Sequence, residues 1–222
     1  MKKVIITLIV LLISVVVFSE NALIDSLQAE VEKNTGTNKV IALNLLSKAY
    51  WEINPQKTLE YGNRALNLAK ELDYKRGEAE AINNIGGAYY YLNDFEMAVE
   101  YFVQSLELRK KIGEKADIVI ALNNLGIVNE SMNDYNQALY FYLESLKLEE
   151  KIGNKLGIAG SLNNIGIVYK NLSNFNKALE YFLRSLRIYE ETKNLPGQAA
   201  TLDNIGMIFR NLTNYEKALE YH

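Results

Sequence analysis

The chain has 222 residues, of which 49% are hydrophobic and 23% are charged, a balance typical of a globular protein with a sizeable core. The formal net charge of −3 excludes the strongly basic surface that binds nucleic acid or an anionic membrane through charge. The absence of cysteine excludes disulfides, thiolate zinc sites and cysteine nucleophiles, and the single histidine, His222, is the last residue.

The first 19 residues have the pattern of a secretory signal peptide. Lys2 and Lys3 precede an uninterrupted, mostly aliphatic run from Val4 to Phe18, and the small residue Ser19 follows. The run is shorter than the ~20 residues that span a bilayer. We predict cleavage near Ser19 and an exported protein, either periplasmic or secreted. The alternatives are an uncleaved anchor and a buried helix.

Helical spacing begins directly after this segment. Leu23, Leu27 and Val31 recur four residues apart on one helical face. Asn54 and Pro55 form a turn, with Pro55 at the first position of the next helix, where its missing N–H costs little. The predicted segments are a short helix over 22–33, a break over 34–38, and helices over 39–53 and 55–72.

A four-residue motif then recurs with a period of 40 residues. Its copies are Asn83-Asn84-Ile85-Gly86, Asn123-Asn124-Leu125-Gly126, Asn163-Asn164-Ile165-Gly166 and Asp203-Asn204-Ile205-Gly206. A fixed period of this size predicts a stacked array of repeats. Apolar residues keep helical spacing throughout, so each period predicts two helices. The first helices are predicted over 75–92, 115–132, 155–172 and 195–212, and the second over 95–112, 135–152 and 175–191.

Polar residues mark the ends of these helices. Asp or Asn precedes each second helix and predicts an N-cap, whose side chain accepts from the first unpaired N–H groups. The predicted caps are Asp94, Asp134, Asn174 and Asn214. Gly113 and Gly153 stand where a helix ends in a left-handed residue.

The block Leu122-Asn123-Asn124-Leu125-Gly126, followed by Ala138, Tyr142 and Ser145, resembles a tetratricopeptide repeat. Its two neighbours match at the same positions: Ile82, Ile85, Gly86, Tyr89, Ala98, Phe102 and Ser105, then Leu162, Ile165, Gly166, Tyr169, Ala178, Phe182 and Ser185. The period is 40 rather than the usual ~34, so the chain is similar to an extended variant found in bacterial sensor and scaffold proteins. Asn129 replaces the first-helix aromatic residue in one copy.

This resemblance implies an all-α fold, an α-α superhelix in which antiparallel helix pairs stack into a solenoid. Residues 1–19 would be the signal peptide, 20–38 a short helix and linker, and 39–222 the array. Its repeats would span about 39–74, 75–114, 115–154, 155–194 and 195–222, the last incomplete. The recurring mid-helix glycine predicts a close approach between helices, with Ala98, Ala138, Ala178 and Ala218 as the matching small residues.

In this family the first helices face a concave groove that binds ligands. The resemblance assigns the second asparagine of each motif (Asn84, Asn124, Asn164 and Asn204) to hydrogen bonds between helices, and the first residue to the groove. The predicted ligand-groove residues are Tyr50, Trp51, Asn83, Tyr90, Tyr91, Asn123, Ile127, Glu130, Asn163, Ile167, Lys170, Asp203, Met207 and Arg210.

These residues favour a non-enzymatic scaffold that binds a protein or peptide. A ladder of amides pairs with an extended peptide backbone, because an amide donates and accepts at once. Lys170 and Arg210 are suited to neutralise a carboxylate. No catalytic residue, metal or cofactor is expected, since the chain has no phosphate loop, nucleotide fingerprint or zinc signature. The alternative is a solvated groove without a specific ligand.

A second functional interpretation treats the chain as the N-terminal sensory region of a truncated bacterial signalling protein. Its output would be a histidine kinase, a cyclase or a DNA-binding regulator. The array stops midway through a second helix, without a polar capping helix, which favours this interpretation or a homodimer through the uncapped end. We expect no nucleic-acid partner, and no membrane contact beyond the signal segment.

Overall fold

A computed structural model describes residues 22–221, and every regular element in that range is helical. Residues 22–33 form helix α1. The helices that follow are α2 (Gly36–Ala49), α3 (Pro55–Glu71), α4 (Lys75–Tyr91), α5 (Phe95–Ile112), α6 (Lys115–Ser131), α7 (Tyr135–Ile152), α8 (Lys155–Asn171), α9 (Phe175–Glu191), α10 (Leu195–Asn211) and α11 (Tyr215–Tyr221). Between residues 22 and 221, no helix combines the length and the apolar character needed to cross a bilayer. The expected signal peptide lies outside the described residues.

The predicted helix bounds agree with the structure except at α2. This helix begins at Gly36 rather than Lys39 and ends at Ala49 rather than Ile53. The break before it is therefore shorter than predicted. Gly36 has a φ of 57°, a left-handed value that glycine adopts without steric cost, so the chain turns within fewer residues.

The turns between paired helices have the expected capping residues. Each predicted cap accepts a hydrogen bond from the N–H three residues later, at 3.2 Å for Asp94, 3.1 Å for Asp134, 3.3 Å for Asn174 and 3.2 Å for Asn214. The residue before each cap has a φ of 57–61°, which reverses the chain sharply. Gly113 and Gly153 take left-handed φ values at the ends of α5 and α7, as predicted.

The chain divides after Leu108 into two compact units, with the boundary inside α5. In the first unit, α3 packs against both α2 and α4. In the second unit, each helix from α6 to α11 packs against the next one. The pairing is antiparallel, because Gly166 lies against Phe182 whereas Ala159, earlier in α8, accepts from Ser185, later in α9. The predicted all-α fold of successive helix pairs is confirmed.

The recurring glycine makes room for an aromatic ring of the second helix. A Cβ on Gly86 or Gly166 would come within 2.9 Å of the Phe102 or Phe182 ring, and one on Gly126 would meet the Tyr142 ring. The expected small partners, which include Ala138, are buried, but the atoms nearest to each glycine belong to the aromatic residue. The prediction of a glycine–alanine contact is therefore wrong, whereas the close approach is confirmed.

Stacked aromatic pairs join the two helices of most hairpins. Their ring centroids lie 5.3 Å apart for Tyr89 and Tyr101, 5.5 Å for Tyr169 and Tyr181, and 5.4 Å for Phe209 and Tyr221. The hairpin of α6 and α7 differs, because Asn129 occupies the first-helix position and its Nδ2 donates to the Leu125 carbonyl at 2.7 Å. There, Phe141 makes an edge contact with Tyr140 instead.

The joints between successive hairpins of the second unit share one position but differ in chemistry. The Arg109 guanidinium is 2% exposed and donates to the Asp117 carbonyl at 2.9 Å. Forty residues later, the Glu149 carboxylate lies against Gly157. Forty residues beyond that, a Cβ on Gly197 would lie 2.5 Å from the Tyr189 ring.

Candidate functional site

Charged and amide side chains of α6, α8 and α10 meet on one face of the second unit. Asn171 Nδ2 donates to Glu130 Oε1 at 3.2 Å, and Lys170 Nζ donates to Asn204 Oδ1 at 3.0 Å. Asn204 Nδ2 in turn lies 3.5 Å from Asn163 Oδ1. These contacts connect three first helices through polar side chains. We call this set the groove cluster; it comprises Glu130, Asn163, Lys170, Asn171, Asp203 and Asn204.

Both charges at the centre of the groove cluster are held partly out of water. Burial raises the pKa of Glu130, while hydrogen bonds from Tyr142 and Asn171 and the charge on Lys170 oppose this rise. Burial lowers the pKa of Lys170, and the charges of Glu130 and Asp203 oppose that fall. Each ion therefore favours a neighbour of opposite charge. A ligand charge placed here would interact more strongly than on an open surface.

The first unit has an aromatic cluster on its own first helices, formed by Trp51, Tyr90 and Tyr91. The Trp51 ring covers Gly87 so closely that a Cβ there would lie 2.5 Å from it. Trp51 Nε1 is buried and has no hydrogen-bond partner among the described residues. The Tyr90 and Tyr91 rings meet edge to face, with their centroids 5.3 Å apart. Three large, neutral side chains therefore share this surface.

Tyr91 is tied to the turn after α2. Its hydroxyl donates to Glu52 Oε1 at 2.7 Å. Burial, followed by this hydrogen bond, raises the pKa of Tyr91 to about 12, so the phenol stays neutral. Glu52 escaped the sequence analysis because it lies in an irregular turn, where the helical period assigns no face.

Most predicted ligand-groove residues are accessible. Tyr91, Ile127, Asp203 and Arg210 are exposed, and Trp51, Tyr90, Asn123, Glu130, Asn163, Ile167, Lys170 and Met207 are half-buried. The structure brings Glu130, Asn163, Lys170 and Asp203 into the groove cluster, and Trp51 together with the two tyrosines. Ile167 also packs against the core between α9 and α10.

Two predicted residues are buried. Asn83 is 2% exposed and Tyr50 is 5% exposed. The Tyr50 ring stacks on Tyr61 at 5.7 Å, and its hydroxyl accepts from Gln28 at 3.2 Å and from Lys57 at 3.3 Å. Because α2 ends at Ala49, Tyr50 takes the core position that Tyr89 has in the next repeat. Neither Tyr50 nor Asn83 presents a surface to a ligand.

The motif asparagines differ from repeat to repeat. Asn84 is fully buried, and its Nδ2 donates to the carbonyl and side-chain oxygens of Asn44 at 3.0 and 3.2 Å, which is the expected bond between helices. Asn204 holds the same position but belongs to the groove cluster, because its partner Lys170 replaces the Tyr90 of an earlier repeat. The half-buried Asn123 has a buried Oδ1 without a partner among the described residues. Such an acceptor gains from a donor supplied by a ligand.

No group of three or more histidine, cysteine, aspartate or glutamate side chains between residues 22 and 221 is arranged to hold a metal ion. The polar groups of the site are amides, one lysine, two carboxylates and phenols. Such groups donate and accept hydrogen bonds, and they suit recognition of a polar chain.

Antiparallel helix pairs with a glycine–aromatic contact and polar first helices define a class, the helical-hairpin repeat proteins. A family model described as tetratricopeptide repeat matches residues 42–111, 77–151 and 157–222. The chain belongs to the tetratricopeptide repeat family. No curated protein matches it in sequence. Proteins of this fold typically act as non-catalytic scaffolds that bind through the surface of their repeats.

Solved structures share the fold at low sequence identity. BtubC (BKLC) from P. vanneervenii is 17% identical with a TM-score of 0.73, over 91% of this chain and 85% of that one. A Rap protein complexed with Competence and Sporulation Factor is 17% identical with a TM-score of 0.71, over 89% and 67% of the two chains. A signal transduction ATPase with a tetratricopeptide repeat sensor, from Pyrococcus horikoshii, is 21% identical with a TM-score of 0.71 over 82% of this chain. This chain spans only 29% of that protein.

Proposed function

We propose that the protein is an exported, non-enzymatic scaffold that binds a protein or an extended peptide through the first helices of its repeats. The observation that carries this proposal is the groove cluster, in which Glu130, Lys170 and Asn204 connect α6, α8 and α10 through side chains alone. The Rap protein of similar fold, solved in complex with Competence and Sporulation Factor, supports a binding role.

The chemistry of the groove cluster indicates a ligand that carries both charges and amides. Glu130 and Lys170 place opposite charges close together, so a polyanion or a polycation would meet repulsion from one of them. Asn123 and Asn163 offer amides to a peptide backbone. Trp51, Tyr90 and Tyr91 offer an apolar surface in the first unit. An extended peptide of mixed charge with aromatic or aliphatic residues fits these groups best.

A peptide selection followed by calorimetry tests this proposal. Peptides are selected on the wild-type protein from a random library, and the dissociation constants of the best binders are then measured. The double variant Asn123→Ala, Asn163→Ala should lose this binding while its thermal unfolding stays unchanged. The matched control is Asn136→Ala, an exposed amide on the second helix α7, which should bind as the wild type does. Equal binding by the double variant would contradict the groove assignment.

Export is the part of the proposal that rests on the sequence alone. Expression of the full-length chain in a bacterium, with N-terminal sequencing of the accumulated protein, tests it. A mature protein that begins shortly after Ser19 in the periplasm or the medium supports export. An intact N-terminus in the cytoplasm would refute it, and an intact N-terminus in the membrane fraction would favour the uncleaved anchor.

The second candidate function is a sensory region of a larger bacterial signalling protein. The similar ATPase, described as carrying a tetratricopeptide repeat sensor, favours it because this chain spans 29% of that protein. The coding sequence after His222 discriminates the two functions. An open reading frame that continues into a kinase, cyclase or DNA-binding domain supports the sensor, and an immediate stop codon supports the free scaffold.

Self-association through α11 is a further part of the partner proposal. Tyr215 and Leu219 on this helix are 63% and 78% exposed. Light scattering of the purified chain should show a dimer that Leu219→Glu converts into a monomer. A monomeric wild type at high concentration would refute the dimer.

A further inference from the structure

A cavity of about 300 Å³ lies in the first unit between α1, α2 and α3, formed by residues outside both the groove cluster and the aromatic cluster. Val31 and Leu46 line it and are 2% and 0% exposed, which makes part of its wall apolar. The volume is at the lower end of the ~300–1,000 Å³ typical of small-molecule pockets. The cavity therefore suits a small molecule.

Opposite charges line this cavity from two different helices. Glu32 belongs to α1 and Arg64 to α3. Between residues 22 and 221, Glu32 forms no ion pair, and Arg64 pairs only with Glu60, at 3.7 Å. That distance is longer than a hydrogen bond, and the Arg64 side chain remains 45% exposed. Both charges are thus available to a ligand in the cavity.

The wall that carries Arg64 is held in place by stacked rings. The Arg64 guanidinium lies 5.2 Å from the Tyr61 ring centroid, and the Tyr61 ring stacks on Tyr50 with an interplanar angle of 5°. The Tyr50 hydroxyl accepts a hydrogen bond from Gln28 of α1, which also lines the cavity. Stacking and hydrogen bonding therefore restrict the Arg64 wall before any ligand arrives, which lowers the entropic cost of binding.

We propose that this cavity binds a free α-amino acid with an apolar side chain, or a small zwitterion of similar shape. Arg64 binds the carboxylate, because the guanidinium fork matches two carboxylate oxygens. Glu32 accepts hydrogen bonds from the ammonium group. The ligand side chain packs against Val31, Leu46 and Tyr61. A residue within a peptide has neither free end charge, so this site differs from the peptide groove in its ligand.

Calorimetry on the full described chain tests the proposal with defined probes. L-Phenylalanine and L-leucine should bind, whereas phenethylamine and 3-phenylpropanoate, each of which lacks one end charge, should bind at least ~10-fold more weakly. Arg64→Gln and Glu32→Gln should each weaken the binding of the amino acids by a similar factor. Thermal unfolding of each variant, expected to be unchanged, shows that the fold is retained.

Arg184 provides a matched control. Its guanidinium lies 5.5 Å from the Tyr181 ring, in the arrangement that Arg64 and Tyr61 make 120 residues earlier. Arg184→Gln should bind amino acids as the wild type does. The proposal is overturned if millimolar amino acid produces no binding heat, if Arg64→Gln binds as tightly as the wild type, or if either single-charge probe binds as tightly as the zwitterions.

Discussion

The ring of Tyr142 in α7 occupies the space that a side chain on Gly126 in α6 would need. The hydroxyl of the same Tyr142 donates to Glu130 Oε2 at 3.2 Å. One side chain therefore connects the packing of a hairpin to the groove cluster. A substitution at Gly126 acts on both the stability of the hairpin and the position of Glu130.

Gly126→Ala should lower the free energy of unfolding by about 1–3 kcal/mol, because the new methyl group overpacks against Tyr142. Helix propensity alone would favour alanine by ~1 kcal/mol, so the sign of the effect separates the two causes. Urea unfolding measures the change. Gly160→Ala is the control, since a Cβ there meets only the Tyr189 hydroxyl, at 3.8 Å, and it should be neutral or stabilising. Equal stability of both variants would contradict the packing account.

Glu149→Gln should change how stability depends on pH. Glu149 is 6% exposed and its Oε2 has no partner among the described residues. Burial raises its pKa, although a hydrogen bond with Asn154 opposes the rise. Because the folded state then holds this proton more tightly than the unfolded state, stability falls as pH rises from the ordinary carboxyl range through the raised pKa.

The glutamine variant cannot ionise, so its stability should lack this fall. The difference in free energy of unfolding between Glu149→Gln and the wild type should move in favour of the variant as pH rises, and then level off. Urea unfolding at a series of pH values measures it. Parallel pH profiles for the two proteins would show that Glu149 ionises without cost.

Lys170→Met should raise the pKa of Glu130 further. The lysine charge is one of the factors that hold this pKa down against burial, and methionine keeps much of the side-chain volume without the charge. Titration of the Glu130 carboxyl carbon by NMR measures the shift. Lys151→Met, at an exposed position of α7, should leave that pKa unchanged. An unchanged Glu130 pKa in the Lys170 variant would mean that the two charges do not interact.

Asn129→Tyr should stabilise the protein by about 0.5–1.5 kcal/mol, the range for an aromatic pair. Tyrosine at this position would stack on Phe141, as Tyr89 does on Tyr101 and Tyr169 does on Tyr181. Thermal and urea unfolding check the gain. Asn136→Tyr, on the exposed face of α7, should change stability little. A loss of stability in the Asn129 variant would indicate that the asparagine site is too small for a ring.

The helices and their turns were predictable because their signals are local. The cap at Asp134 and the glycine that ends α7 act within a few residues of the helix ends that they define. Tyr50 was placed wrongly for a reason of register. A shift of 40 residues aligns Tyr50 with Tyr90, but the early end of α2 at Ala49 gives Tyr50 the stacking role of Tyr89. The length of one turn, which the period does not reveal, decided the face.

The groove cluster was predictable only in part. Glu130, Lys170 and Asp203 follow from the resemblance, because the family places these positions on the first helices. Asn204 does not, since its motif position is that of the buried Asn84 and only the neighbouring Lys170 draws it into the cluster. The cavity that Glu32 and Arg64 line was also beyond the sequence, because it depends on where α1 packs against α3.

The unlike joints of the second unit give each hairpin a specific neighbour. Hairpins with nearly the same sequence risk pairing out of order while they fold. A mispairing that placed Arg109 against Gly157 would bury a guanidinium without the Asp117 carboxylate, and one that placed the Tyr189 ring against Asp117 would strand that carboxylate. The sequence of Arg109, Glu149 and Tyr189 thus encodes the order in which otherwise interchangeable hairpins assemble.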